Sequence, residues 1–204
     1  MDTLVLDPYV SERLLRERRD RGIDVYDEVW EGVYVMAPAP NDEHQEIEMN
    51  LAQPLLDVVG NRSLGTVRLR VNVASDPSDW EHDYRIPDIV VFLKGSSAVC
   101  HETFWSGPPD FIIEIASPHD RTREKLAFYA NVETRELLLI DRNPWRLELY
   151  RLKGQSLALV ASTAPGDATA VFSEVLPMTF KLLPGSPRPT IEVVATDPQR
   201  TWTI

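Results

Sequence analysis

Cysteine is almost absent from the chain. Cys100 is the single one among 204 residues, which excludes an internal disulfide and any zinc site built from several thiolates, and suits a reducing compartment. Positive charge is also scarce: 21 Lys+Arg stand against 32 Asp+Glu, a formal net charge of -11. A chain of that sign does not coat nucleic acid by bulk attraction, so any phosphate chemistry must rest on a local site. No apolar run approaches the roughly 18 residues of a membrane span; the longest, 89–93 and 136–140, are strand-sized. The start, MDTLVLDPYVSER, lacks a basic lead, an apolar stretch and a small-residue cleavage site. No signal peptide and no membrane partner are therefore expected, and the cytoplasm is the expected location. Internal repeats, low-complexity tracts and clear linkers are absent too. What remains is 43% hydrophobic and 26% charged, enough for one domain over residues 1–204 that buries its own core.

The local patterns read as a mixed α/β chain. Asp7-Pro8 is an N-cap and first helical position for a charged helix ending near Gly22, with Val10, Leu14 and Leu15 on one side. Residues 25–36 read as a hairpin turning at Glu31-Gly32, closed by Pro38 and Pro40. Asn41 caps a helix to about Val59, with Ile47, Leu51, Leu55, Val58 and Val59 as its stripe, and Pro54 predicts a kink or split. Residues 66–74 alternate as one strand, with Val67, Leu69, Val71 and Val73 opposite Arg68, Arg70 and Asn72. The runs 88–93 and 111–116 are nearly all apolar, as expected of central strands covered on both faces. A helix over about 120–130 and strands at 136–141 and 146–152 follow. Beyond residue 153, short β runs such as 157–161 and 170–172 suggest a loose C-terminal extension, whose last stretch residues 184–189 could detach.

Four residues do not suit a core. Glu114 sits inside FIIEIA, facing the same side as Ile112 and Ala116; a carboxylate there needs a partner or a purpose. Asp88 opens the preceding strand after Pro87, Lys125 follows Glu114 onto the next helix, and His44 shares the stripe of Ile47 and Leu51. Singly, each has a plain structural reading: a buried ion pair, a turn aspartate, a solvated lysine, a hydrogen-bonded core histidine. Together they fit one chemistry. Two carboxylates on adjacent strands hold a hard divalent cation such as Mg²⁺, and a nearby ammonium orients one of its waters, which is an apparatus for phosphodiester hydrolysis.

The order helix, three strands, helix, strand, with Pro87-Asp88 on the second strand and Glu114 in the third, resembles the core of the PD-(D/E)XK nuclease superfamily. Within it the sequence resembles the Uma-two type of bacterial restriction-endonuclease-like families. The residues carrying the resemblance are Glu28, Glu31-Gly32, Met36-Ala37-Pro38, His44, Pro87-Asp88-Ile89-Val90-Val91, Pro109-Asp110, Glu114-Ile115, Ser117-Pro118, Glu124-Lys125-Leu126, Tyr129 and Leu139-Ile140-Asp141, over roughly residues 26–152. The resemblance implies an αβββαβ restriction-endonuclease-like core in a mixed central sheet, with an N-terminal helix and hairpin and a C-terminal β extension over about 153–204. It implies metal-dependent cleavage of DNA, with Asp88 and Glu114 as ligands of Mg²⁺ or Mn²⁺, Lys125 as the catalytic lysine, and His44 and Glu28 shaping the site. It also implies a homodimer. In the simplest superfamily pattern the lysine stands two residues after the strand carboxylate; here Ala116 holds that place, and the following helix supplies Lys125.

Arg68, Arg70, Arg121 and Arg123 are candidates for phosphate contacts, equally readable as solvated charges on an acidic surface. The alternative to an endonuclease is a binding or regulatory protein that keeps the fold and cleaves nothing. A sugar hydrolase with paired carboxylates has no recognisable aromatic site to support it. Cys100-His101 is a poor nucleophile pair, because adjacent residues rarely face each other.

Overall fold

The mixed central sheet follows from two apolar strands that need cover on both faces. The computed structural model describes residues 3–117, 120–197 and 199–204, so Pro118 of the resemblance lies outside the described residues. The elements are β1 (Thr3–Val5), α1 (Pro8–Asp20), β2 (Glu28–Trp30), β3 (Val33–Met36), α2 (Asp42–Leu55), β4 (Gly65–Leu69), β5 (Asn72–Ala74), β6 (Tyr84–Arg85), β7 (Ile89–Leu93), β8 (Val99–Cys100), β9 (Phe104–Ser106) and β10 (Phe111–Ala116). There follow α3 (Lys125–Asn131), β11 (Glu136–Arg142), β12 (Trp145–Lys153), β13 (Ser156–Thr163), β14 (Val171–Phe172), β15 (Met178–Leu183), β16 (Thr190–Thr196) and β17 (Gln199–Thr203).

The central sheet has the order β13-β12-β11-β10-β7-β4. Only β10 and β11 are parallel, and the crossover between them carries α3, as a parallel pair requires. On one face Ile113 and Ile115 meet Ile47, Leu51 and Leu55 of α2 and Met178, Phe180, Ile191 and Val193 of β15 and β16. On the other, Ile112 and Ala116 pack on Phe128 and Tyr129 of α3 and Val73 of β5. Each such side chain contributes about 1.5–3 kcal/mol when fully buried, so this double cover, not strand propensity, fixes β10 and β11. The sequence α2, β4, β7, β10, α3, β11 is the αβββαβ core expected from the chain.

A second sheet, β1-β3-β2-β6-β5-β9-β8, packs on this same face beside α3, with Trp105 of β9 stacked on Phe92 of β7 at 4.0 Å. Its outer cluster of Val29, Tyr34, Ala74, Tyr84 and Phe104 is covered by Leu14 and Leu15 of α1. The expected hairpin is β2–β3: Glu31 and Gly32 have φ of 49° and 82°, the primed turn that matches strand twist. A Cβ on Gly32 would lie 2.6 Å from the His82 ring.

Three expectations are corrected. Residues 66–74 are not one strand: Arg70 turns left-handed with φ 50°, so β4 pairs with β7 in the central sheet while β5 pairs with β6 and β9 in the second. Alternation cannot distinguish one strand from two collinear halves that bury their apolar sides in different layers. The helix expected over 120–130 is shorter, a 3₁₀ turn at Thr122–Glu124 leading into α3. The C-terminal stretch is neither loose nor detached, because β15 and β16 pair from Met178↔Ala195 to Leu183↔Thr190. The alternating apolar residues of these two strands give them a face that only the central sheet can cover. Pro54, expected to disturb its helix, stands one residue before the end of α2, and a π turn at Leu56–Gly60 takes up the change of register.

Candidate active site

The register between β7 and β10 builds the site. Ile89 stands opposite Ile113 and Val90 opposite Ile112; one step further along, Asp88 meets Glu114. The backbone amide of Ile115 donates to Asp88 Oδ2 at 2.7 Å, which fixes that carboxylate against the strand. α2 contributes from the side. Asn41 Oδ1 accepts the amide of His44 at 3.0 Å, and Asp42 and Glu43 in the first turn suit the positive end of the helix. Counting one turn on from the cap, His44 and Glu48 point together into the sheet. His44 Nε2 lies 3.3 Å from Asp88 Oδ2, and His44 Nδ1 is buried with no hydrogen-bond partner among the described residues.

Glu114 is reached from α3. Tyr129 donates its hydroxyl to Glu114 Oε1, and Lys125 Nζ lies 3.3 Å from the same oxygen. Lys125 Nζ also reaches Glu28 Oε1 at 2.8 Å. Glu28 is fully engaged, since Oε1 accepts the Ile86 amide at 2.8 Å and Oε2 accepts Trp30 Nε1 at 2.6 Å. Burial pushes the Glu114 carboxyl above its ordinary value, Lys125 pulls it back, and Asp88 and Glu28 add to the rise. Burial alone would lower Lys125, but Glu114 and Glu28 outweigh it and hold the ammonium above its usual value. Lys125 is thus charged at neutral pH.

These groups line one cavity of about 250 Å³, with Glu28, His44, Asp88, Glu114 and Lys125 in its wall. All five residues singled out from the sequence for the site are therefore brought together. The side-chain donor atoms of His44, Glu48 and Asp88 lie within 4.8 Å of one another. Among the described residues, no hydrogen bond reaches Asp88 Oδ1, Glu48 Oε1 or Glu114 Oε2. An unpartnered buried imidazole nitrogen beside carboxylate oxygens free to accept is a group that could hold a metal ion.

Sequence reasoning missed Glu48, although its signal was present: four residues after His44, on the buried stripe. It also missed Arg142, whose guanidinium reaches the Ala116 carbonyl, Asn41, Glu43 and Ser117. Of the arginine candidates, Arg70 lines the cavity. Arg68 Nη1 donates to the Val67 carbonyl, Arg123 pairs with Asp141 and Glu148, and Arg121 pairs with Glu124. Cys100 is exposed and its Sγ contacts the carbonyl of His101, while the imidazole turns to Ser106 Oγ at 3.0 Å. Thiol and ring do not face each other.

The model of the Uma2 family, described as "putative restriction endonuclease", matches residues 14–198. The chain belongs to the Uma2 family. Comparison with curated proteins gave no match. Among solved structures it is similar to a protein from Anabaena variabilis ATCC 29413 described as "a putative nuclease belonging to DUF820". The TM-score is 0.58 and the identity 20%, over 74% of this chain and 83% of that one. At that identity the likeness is one of fold, and it agrees with the restriction-endonuclease-like core. No helix of this Uma2 member, among the described residues, is long and apolar enough to cross a membrane.

Proposed function

We propose that this chain is a divalent-metal-dependent endonuclease that hydrolyses phosphodiester bonds of DNA. The observation that carries the reading is the convergence of Asp88, Glu114, Lys125, His44 and Glu28 in one cavity. The Uma2 membership supports it. Asp88 and Glu114 would hold Mg²⁺ or Mn²⁺, with His44 and Glu48 as neighbouring donors. A cation held there would supply Lewis-acid chemistry toward the scissile phosphate and the attacking water. Lys125, kept charged by two carboxylates, orients the attacking water and balances charge that builds on the phosphate, a role for a cation and not for a proton acceptor. Glu28 and Tyr129 are positioning residues, since Glu28 holds Lys125 and Tyr129 holds Glu114 Oε1. A homodimer working in the cytoplasm would present two such sites to the two strands of a duplex.

The test is nicking of supercoiled plasmid by the pure protein in Mg²⁺. Glu114→Gln, which retains an acceptor for Tyr129, is expected to abolish nicking while leaving the circular-dichroism spectrum unchanged. Full activity in that variant removes Glu114 from the mechanism. A wild-type protein that neither nicks nor binds Mg²⁺ or Mn²⁺ at millimolar concentration supports the binding or regulatory reading instead.

A further inference from the structure

Arg70 is held in a place its sequence does not suggest. Its φ of 50° puts a non-glycine residue in the left-handed region, a strained conformation that persists only where the surroundings impose it. The bend is fastened to the site, because the Arg70 amide donates to the Asp88 carbonyl at 3.2 Å. Its effect is to carry one guanidinium out of the strand direction and into the cavity wall. There Nη2 is paired with Glu48 Oε2, while Nη1 donates to the Tyr26 hydroxyl at 2.7 Å and the group lies 4.8 Å from the Tyr26 ring centre.

Three features make this an exchangeable grip. A closed Arg–carboxylate pair uses two parallel bonds, whereas Arg70 engages Glu48 through one nitrogen and one oxygen. That oxygen, Oε2, is also 4.0 Å from the unpartnered His44 Nδ1, so the guanidinium occupies a carboxylate of the His44, Glu48, Asp88 donor group. The other two long cations of the cavity are committed elsewhere, Lys125 to Glu28 and Glu114 and Arg142 to four acceptors. Two cations cannot share Glu48 without repulsion, and the guanidinium fork suits a phosphate better than a single-point contact does.

We propose that Arg70 and the divalent cation exchange at Glu48. Without the cation Arg70 rests on the carboxylate; when Glu48 turns to the cation, Arg70 leaves it and contacts a phosphate of the DNA substrate. This rests on the metal-dependent nuclease reading, and it gives a chain of net charge -11 an affinity for nucleic acid that rises only when the metal is in place.

The test uses the full chain, calorimetric titration with Mn²⁺, and fluorescence anisotropy of a short phosphorothioate duplex in Mn²⁺ and in EDTA. Arg70→Gln is expected to bind Mn²⁺ about tenfold more tightly than wild type, and to bind duplex about tenfold more weakly in Mn²⁺ but equally in EDTA. Glu48→Gln is expected to release Arg70 without metal, so duplex affinity in EDTA rises about tenfold and loses its dependence on Mn²⁺. Unchanged or weaker Mn²⁺ binding by Arg70→Gln overturns the exchange, as does an equal loss of duplex binding with and without metal. If Arg70→Gln does not fold, Glu48→Gln decides: no gain in EDTA overturns the proposal. Wild type binding no Mn²⁺ is a separate result, and it removes the nuclease reading itself.

Discussion

Glu114 and Glu136 are both buried glutamates on neighbouring parallel strands, yet their surroundings differ in kind. Glu136 is saturated: Arg151 Nε and Nη2 reach Oε1 at 2.8 and 2.7 Å, the Glu174 amide reaches the same oxygen at 3.1 Å, and Ser173 donates to Oε2 at 2.5 Å. Through these bonds the central sheet is tied to the chain entering β15. Glu114 accepts, among the described residues, at one oxygen only and borders a cavity. Burial of a carboxylate thus marks structure when its acceptors are all engaged, and a candidate site when one is left over.

The largest expected effects separate the two glutamates. Glu114→Gln should lower nicking by about 10³-fold or more while its chemical-denaturation midpoint moves by less than about 1 kcal/mol equivalent, since a hydrogen-bond acceptor for Tyr129 remains. Glu136→Ala should do the reverse. It removes the buried acceptor of Ser173, the Glu174 amide and Arg151, which keeps only its exposed pair with Glu174, and should cost about 2–4 kcal/mol in urea unfolding, with nicking per folded molecule unchanged. Similar stability losses for both variants would break the comparison. A smaller effect probes the support of Lys125: Trp30→Phe removes the indole donor to Glu28, and supporting contacts of this type carry about 10–100-fold in activity. A tenfold fall in kcat with unchanged KM is expected, whereas a fall in stability alone would make Trp30 a packing residue.

The smallest effect concerns packing and should be common to both variants. Burial raises the phenols of Tyr84 and Tyr150 to about 12 from an ordinary value of 10. A raised folded-state value means the neutral form is favoured in the fold. Its contribution is complete below pH 10 and lost as pH rises through about 12. The ring signals of Tyr84 and Tyr150 in NMR should therefore change only with unfolding in that window, equally in wild type and Glu114→Gln. Gradual ionisation of these two rings in the folded protein from pH 10 would contradict their raised values.

The parts legible in the sequence are those where one periodicity answers to one environment. FIIEIA and ELLLID read as doubly covered strands, and Glu114 stood out because an apolar run leaves no other place for a charge. The cap at Asn41 set the phase of α2, and with it the inward turn of His44. Glu48 carried the same phase but looked like an ordinary charged helix residue, since periodicity says which way a side chain points and not what awaits it. The turn at Arg70, itself a candidate for a phosphate contact, was illegible for a different reason. An alternating segment has the same pattern whether or not the chain crosses between sheets, and only the contacts of both layers reveal the left-handed break. The short strands β8 and β9 escaped for want of length, whereas β15 and β16, as long as β10 and β11 and paired with their sequence neighbours, were hidden by the Pro and Gly residues that break up the C-terminal pattern.

Besides His44 at its edge, Asp88 is held by the peptide that joins Glu114 to Ile115. Such a tether is indifferent to which amino acid the codon at position 115 specifies, proline excepted. Drift around it can therefore be wide without disturbing the aim of the carboxylate, and the arrangement can outlast nearly all of the surrounding sequence.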